Sequence, residues 1–388
     1  HAAGGAHAPG PYRDARERAR RARTARALRM RAEGVMPHLA FDRPPVSQFP
    51  DPFMTDTRFD VLGVGNAIVD VLAQVDDAFI TTHELAKDAM LLIDEDRATS
   101  LYDAFPPSEE ISGGSAANSL AGVASLGGRG AYIGKVAKDQ LGEVFAHDLR
   151  AAGVAYDTAP LEGGPATARC LIAVPPDARR AMNTFLGASA LLDETDIDAD
   201  LVKASEVTFL EGYLFDREEA KRAFVRAAEF ARAADRRVAL TLSDVFCVER
   251  HRASFRQLVK NHVDVLFANE AELKSLYETD DFDTALASVR AETRVAAVTR
   301  SEKGAVIVSG EDEARVPAEA VDQVIDTTGA GDLFAAGFLT GYARGADLET
   351  CGRLGVIAAG EIISHMGARP QANLSDLAAK AGISIPTP

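Results

Sequence analysis

Residues 54–388 predict an α/β fold, a parallel sheet with helices on both faces, and three observations carry that prediction. Short apolar segments alternate with longer amphipathic ones, the pattern of successive strand-helix units. Hydrophobic residues make up 47% of the 388, enough for one large core or two smaller ones. No internal repeat is present, so the alternation is not that of a solenoid.

The strand-like runs in order are FDVLGVG (59–65), RGAYIGKV (129–136), EVTFLEG (206–212), RRVALTLSD (236–244), VDVLFAN (263–269), RVAAVTRS (294–301) and GAVIVSG (304–310). Each is a short apolar stretch of the length and composition of a buried strand. The segments REEAKRAFVRAAEFARAAD (217–235) and EAELKSLYETD (270–280) instead repeat their apolar residues at helical spacing. Ligands of such sheets bind at the carboxyl ends of the strands, so function is expected in the segments that follow them. One region breaks the alternation: ATARCLIAVPPDARRAMNTFLGAS (166–189) predicts two strands around a Pro-Pro-Asp-Ala turn. With the segment KDAMLLIDEDRATSLYDAF (87–105) it suggests a small flap, contributed by about 68–112 and 160–190, of the kind that covers a strand-end crevice and excludes water. A decorative hairpin is the other reading.

Charge divides the chain. Residues 1–53 contain 10 Arg and no Lys against 5 Asp and Glu, a net of +5, which leaves −21 of the total −16 to residues 54–388. The Arg-, Ala-, Pro- and Gly-rich first part lacks apolar periodicity and is expected to form no packed core. A nucleic-acid arm or targeting peptide competes there with a solvated tail or an extension upstream of the folded protein, and the last two are preferred, with Met54 a natural starting residue. The acidic main body argues against nucleic-acid binding, which needs clustered Lys and Arg. Cys170, Cys247 and Cys351 stand far apart in no metal-binding spacing and read as free thiols of a reducing cytosol. With no membrane-spanning run and no signal-peptide segment, the expectation is a soluble cytoplasmic protein with a small-molecule substrate.

The most informative stretch is DTTGAGD, Asp326 to Asp332. VDQVI leads in as an extended segment, and Leu333, Phe334, Phe338, Leu339 and Tyr342 follow at helical spacing, so Gly329, Ala330 and Gly331 open a helix. Small residues there leave N–H groups bare to a phosphate-sized anion, and the helix dipole adds positive potential. Asp332 repels the ligand those groups attract. A general base justifies the cost, by taking the proton of a hydroxyl as its oxygen attacks phosphorus. An acid placed for capping and dipole reasons is the plain alternative.

Companion motifs follow other strands. Asn269-Glu270-Ala271-Glu272 could hold a hydrated Mg²⁺ through Asn269 and Glu272, or serve only as an N-cap and its capping-box partner. The turn from Thr299 to Gly304 could touch nucleotide phosphates, or be merely a hairpin. Gly113 and Gly114 open a second Ala-rich helix that carries Asn118, and FDVLGVG leads to Asn66 and Asp70. A carboxylate and an amide converging on one pocket suit a vicinal diol such as that of ribose, while a lone strand-end acid is more often surface.

These motifs, DTTGAGDLFAAGF, GGSAANSLAGVASLGGRGAYIGKVAKDQLGEVF, NEAE and TRSEKG, stand in the order found in the ribokinase-like (PfkB) carbohydrate kinase family, and the chain resembles that family over nearly all of residues 59–375. The resemblance implies a Rossmann-like three-layer α/β/α sandwich with a small β-sheet lid, and the use of ATP and Mg²⁺. It implies Asp332 as catalytic base, Gly329 to Gly331 as anion hole, ATP contacts that include Asn269, Thr299, Gly304 and Thr328, and substrate contacts from Asn66, Asp70, Gly113, Gly114 and Asn118. A monovalent cation such as K⁺ is expected near Asp326, Thr328 and Gly367. GNAIVDVLAQVDD, NTFLGAS, LEGYLFD and TLSD look most like the adenosine kinase and bacterial nucleoside kinase branch, which implies phosphorylation of a nucleoside 5′-hydroxyl in purine salvage. Phe79, Phe185, Leu186 and Phe215 are candidates to sandwich the base, although apolar residues of such folds are more often core. Lids in the family are dimer clasps or monomer flaps, so either a monomer or a homodimer is expected.

Three other readings stay open. A sugar kinase of the same fold, acting on ribose, fructose or a keto-deoxy acid, differs only in the pocket. A dinucleotide enzyme is suggested by GVGNAI, but Ile68 stands where the third glycine belongs. A non-catalytic nucleoside sensor would have no need of Asp332 and NEAE.

Overall fold

The structure, a computed structural model, describes residues 57–387 apart from Asp88 and Ala178. The Arg-rich segment 1–53 and the expectation attached to it lie outside the described residues. The strands in chain order are β1 (Phe59–Val64), β2 (Ile68–Gln74), β3 (Ala89–Leu92), β4 (Glu109–Gly113), β5 (Gly130–Ile133), β6 (Val154–Tyr156) and β7 (Ala168–Val174). They continue as β8 (Ala181–Phe185), β9 (Ser205–Glu211), β10 (Arg237–Thr241), β11 (Val265–Asn269), β12 (Val295–Thr299), β13 (Ala305–Ser309) and β14 (Asp312–Val316).

Among the described residues nine strands form one sheet in the order β14-β13-β12-β11-β10-β9-β1-β5-β6, and five form a second in the order β3-β8-β7-β2-β4. The seven strand-like runs of the sequence are β1, β5 and β9 to β13, all in the larger sheet. Alternate residues of its strands feed two cores. Val61, Phe209 and Phe267 pack on one face with Phe334 and Phe338 of the Ala330–Ala343 helix, and Leu62, Leu210 and Leu240 on the other with Phe224 and Phe255. Burial on both faces explains why these strands read as continuous apolar runs. From β6 across to β12 every pairing is parallel, but β13 and β14 are antiparallel, a departure from the parallel expectation. The link from Arg300 to Gly304 is too short for a crossover and closes as a turn, with Arg300 N–H donating to Gly304 O at 2.7 Å.

Strand order reverses around β1: the chain builds outward through β5 and β6, then returns to β9 on the other side. The carboxyl ends of β1 and β9 therefore border the crevice where open α/β sheets bind ligands. At the opposite end, buried Asp60 accepts from Arg129 at 2.7 Å and from Arg344 at 2.9 Å, tying β1 to the segments after the Ser115–Ser125 and Ala330–Ala343 helices. Asp60→Ala leaves the nearly buried Arg344 charge unpaired and is expected to cost about 3 kcal/mol in a urea titration, the low end for a broken buried pair because Arg129 is partly exposed.

The smaller sheet grows directly out of the larger one, since only residues 65–67 separate β1 from β2. β7 and β8 are the antiparallel pair expected around the Pro-Pro-Asp-Ala turn, and 87–105 supplies β3 and the Glu95–Ala104 helix. Period-2 alternation splits its side chains. Val69, Val71, Leu171 and Ala173 join the main core, while Ile68, Leu72, Cys170, Ile172, Val174 and Met182 form an apolar face that packs on Met366. Among the described residues no helix is long and apolar enough to cross a membrane, and the three cysteines are buried free thiols.

Candidate active site

The Asp326–Asp332 turn reaches its helix without a strand before it. Ile325 N–H donates to Ile363 O at 2.8 Å, but Val324 and Ile325 are exposed, so VDQVI is an extended loop laid along the end of the Leu348–Ile362 helix. Gly329 caps the Ala330–Ala343 helix in a left-handed conformation, φ 80°, that costs glycine nothing. No side chain caps this helix, a Cβ at Gly331 would meet open space, and among the described residues the Gly331 and Asp332 N–H groups have no acceptor. Such bare first-turn donors are what an anion needs, and the residues present fit a phosphoryl group.

Asp332 is held by the second glycine-opened helix. Its Oδ1 accepts from Ser115 Oγ at 2.6 Å and its Oδ2 from Asn118 Nδ2 at 3.0 Å. Burial pushes its carboxyl pKa up, opposed by these two bonds and by the charge of Arg369, and a raised pKa makes a better base. Gly114 caps the Ser115–Ser125 helix at φ 95°, where a Cβ would lie 2.2 Å from Asn66 O. At Gly113 a Cβ would lie 2.4 Å from Asp70 Oδ2, so the missing side chain makes room for that acid. Among the described residues the buried Asn118 Oδ1 has no partner and stands as a free acceptor.

Asp70, Asn118, Thr328, Gly367, Arg180 and Arg369 line one cavity of about 770 Å³, whose other wall includes Leu72, Ile172, Val174 and Met366. Burial raises the Asp70 pKa to about 6 against the pull of Arg369 and Arg180. Arg369 spends its guanidinium on backbone, donating to Ser112 O and Ala117 O at 2.7 Å each, and burial lowers its pKa to about 10. Neither arginine was anticipated: a single Arg in a hairpin or in GARP carries no local signal. A larger open groove of about 1010 Å³ lies between the 319–325 loop and the end of the Leu348–Ile362 helix.

The three positions expected around a monovalent cation do meet, but the carboxylate among them is filled. Asp326 Oδ1 accepts from Thr328 N–H and Oγ1 at 3.1 and 2.7 Å. Its Oδ2 accepts from Gly367 N–H at 3.1 Å and pairs with Arg180 at 2.7 Å. Four donors leave this carboxylate no lone pair for K⁺, and the positive charge it meets is that of Arg180.

Other expected residues have local tasks. Asn269 and Glu272 close a capping box, with Glu272 N–H donating to Asn269 Oδ1 at 2.8 Å and Asn269 N–H to Glu272 Oε2 at 2.9 Å; Asn269 Nδ2 adds a bond to Glu272 Oε1 at 2.6 Å, and burial pushes Glu272 up to about 7. Direct metal ligation would have to break that box, and among the described residues no group of three or more His, Cys, Asp or Glu could hold a metal ion. Thr299 ends β12, and at Gly304 a Cβ would lie 2.0 Å from Val316 O, a structural reason for glycine there. Asn66 is buried, its Nδ2 donating to Glu211 Oε1 at 2.7 Å and its Oδ1 accepting from Ser189 Oγ at 3.0 Å, so both ends of its amide have partners within the protein. Of the four candidates to sandwich the base, Phe215 takes the core reading, stacked on Phe255 at 4.3 Å, Phe79 packs on Phe105 at 5.7 Å, and none of the four lines the 770 Å³ cavity.

Residues 95–374 match the family described as pfkB family carbohydrate kinase. Among solved structures the chain is similar to an adenosine kinase from Sinorhizobium meliloti, at 52% identity, with 83% of this chain and 99% of that chain covered and a TM-score of 0.77. A probable sugar kinase protein from Rhizobium etli CFN 42 is 51% identical, covers 84% of this chain and 99% of its own, and superposes with a TM-score of 0.78. The adenosine kinase of Saccharomyces cerevisiae is 26% identical over 326 residues, 78% of this chain and 94% of that protein.

Proposed function

The chain belongs to the pfkB family of carbohydrate kinases and is a kinase, and from that premise we propose that it transfers the γ-phosphoryl group of ATP to the 5′-hydroxyl of a nucleoside, adenosine first among them. The observation that carries the acceptor class is the two-sided cavity. Asp70 and the free Asn118 Oδ1 suit the ribose diol, and the apolar face of Leu72, Ile172, Val174 and Met366 suits a flat heteroaromatic base. A bare sugar would leave that face without an apolar partner.

Asp332 takes the proton of the attacking hydroxyl, held in place by Ser115 and Asn118. The first-turn N–H groups of Gly331 and Asp332 receive the charge of the transferred group. The smaller sheet acts as a lid that keeps water from the phosphoryl group. The 1010 Å³ groove ends at Ile325, beside the anion-binding turn, and we assign it to the rest of the nucleotide, with Thr299 and Thr328 as further contacts. Mg²⁺ would neutralise phosphate charge, and Asn269 and Glu272 would reach it through water. We give K⁺ no contact with the Asp326 carboxylate; a monovalent ion there would need backbone carbonyls.

The test is ADP release with adenosine, inosine, guanosine, ribose and fructose as acceptors. Adenosine should exceed ribose and fructose by at least roughly tenfold in kcat/KM, a modest gain for burying a base. Faster turnover of ribose or fructose would favour the sugar kinase reading, and no turnover with any acceptor would favour a nucleoside sensor. Affinity for the acceptor should also depend on pH. Asp70 accepts from hydroxyls as the carboxylate, which predominates above about 6, so binding is present above that pH and lost as pH falls through it. The acceptor KM should rise between pH 6.5 and 5, and Asp70→Asn should flatten that dependence at a uniformly higher KM.

A further inference from the structure

One buried acid has no task in this mechanism. Glu211, at the carboxyl end of β9, is 1% exposed and, among the described residues, forms no ion pair. Its Oε1 accepts from Asn66 Nδ2 at 2.7 Å, and its Oε2 accepts from Ala116 N–H at 2.9 Å. Backbone closes in behind it, since a Cβ at Gly65 would lie 2.4 Å from Oε2. Ala116 lies in the first turn of the Ser115–Ser125 helix, the same turn whose Ser115 Oγ and Asn118 Nδ2 hold the two oxygens of Asp332. One helix terminus is thus clasped by two carboxylates, by its backbone on one side and by its side chains on the other.

We infer that Glu211 is a positioning residue for the base: it anchors the helix terminus that aims Ser115 and Asn118, and its charge offsets the positive end of the helix dipole so that Asp332 stays basic. Burial pushes Glu211 up to about 7, with the Asp332 charge acting in the same direction. The other titratable groups that feel Glu211 are Tyr132, Tyr213 and Cys247, all raised by burial, and the charge of Arg369 acts on both Tyr132 and Asp332. An acid that only filled space would need no donors, whereas Asn66 Nδ2 and Ala116 N–H both point at this carboxylate and oppose the upward push of burial.

The inference rests on the proposed base role of Asp332, and its test has one arm that does not need turnover. In Glu211→Gln the acid limb of the kcat pH profile should move down by roughly half to one unit, the scale of two charges interacting across one helix turn, with kcat lowered and the acceptor KM little changed. A higher acceptor KM with an unmoved limb would mean that Glu211 touches the acceptor instead. An unmoved limb with unchanged kcat would mean a space-filling role. The second arm uses ¹³C NMR of side-chain carboxyls in the unsubstituted Glu211 background. Interaction is reciprocal, so Asp332→Asn should lower the titration midpoint of Glu211. An unchanged midpoint overturns the inference even if Glu211→Gln does not fold, and a shifted one upholds the coupling of Glu211 to Asp332, so that a failed acceptor panel then counts against the proposed function alone.

Discussion

Asp332→Asn should lower kcat by roughly 10²- to 10⁴-fold, the range of a general base, and leave the acceptor KM within about threefold. That loss is about 3 to 5 kcal/mol of transition-state stabilisation. The amide keeps the volume of the carboxyl and can still accept one bond from Ser115 or Asn118, so the site should persist without a proton acceptor. Stability should move the other way. Because burial raises the Asp332 pKa, the folded state carries the cost of an ionised acid at neutral pH, absent below the unfolded value of 3.8. The variant should therefore be at least as stable as the parent at pH 7, with any advantage vanishing below about pH 4. Steady-state ADP release and urea titrations at the two pH values check both halves; turnover within tenfold of the parent removes Asp332 from the role of base.

Gly331→Val tests the anion site without touching the acid. A Cβ at this position meets open space within the protein, so the fold should lose no more than about 0.5 kcal/mol. The added branched side chain would stand where a phosphoryl oxygen must approach the first-turn N–H groups. Losing such a donor to an oxyanion costs roughly 10²- to 10³-fold, and kcat/KM for ATP should fall by that much, with nucleoside binding measured calorimetrically unchanged. Normal ATP kinetics would mean that the transferred group lies elsewhere.

Local patterns carried most of the architecture. The seven apolar runs are strands of the nine-stranded sheet because burial on both faces leaves an unbroken hydrophobic signature, and the 166–189 hairpin was marked by its Pro-Pro-Asp-Ala turn. Those runs gave the parallel α/β sheet; its ribokinase-like form was what the resemblance carried by DTTGAGD, GGSAAN, NEAE and TRSEKG implied. β2 and β4 went unrecognised: β2 buries one face in the main core and turns the other to the cavity, and Ser- and Glu-containing β4 has no apolar run. Asn66 and Phe215 stand at strand ends, where a ligand contact and a core contact look alike in sequence. Side-chain direction alone separates them, and it turned Asn66 toward Glu211 and Phe215 toward Phe255.

The sequence by itself determined the reaction, because DTTGAGD builds its parts within seven residues: a left-handed glycine, bare N–H groups and an acid one turn on. Backbone conformation and helix period are local, so short-range order is enough to specify them. The tertiary structure decided what surrounds that turn. Asn118 reaches Asp332 across 214 positions, Arg369 reaches Ser112 across 257, and Glu211 reaches Asn66 across 145. No periodicity or spacing encodes such pairs. They exist because the sheet reverses at β1 and brings the carboxyl ends of β1 and β9 to one crevice, where burial turns ordinary acids and arginines into an electrostatically coupled site.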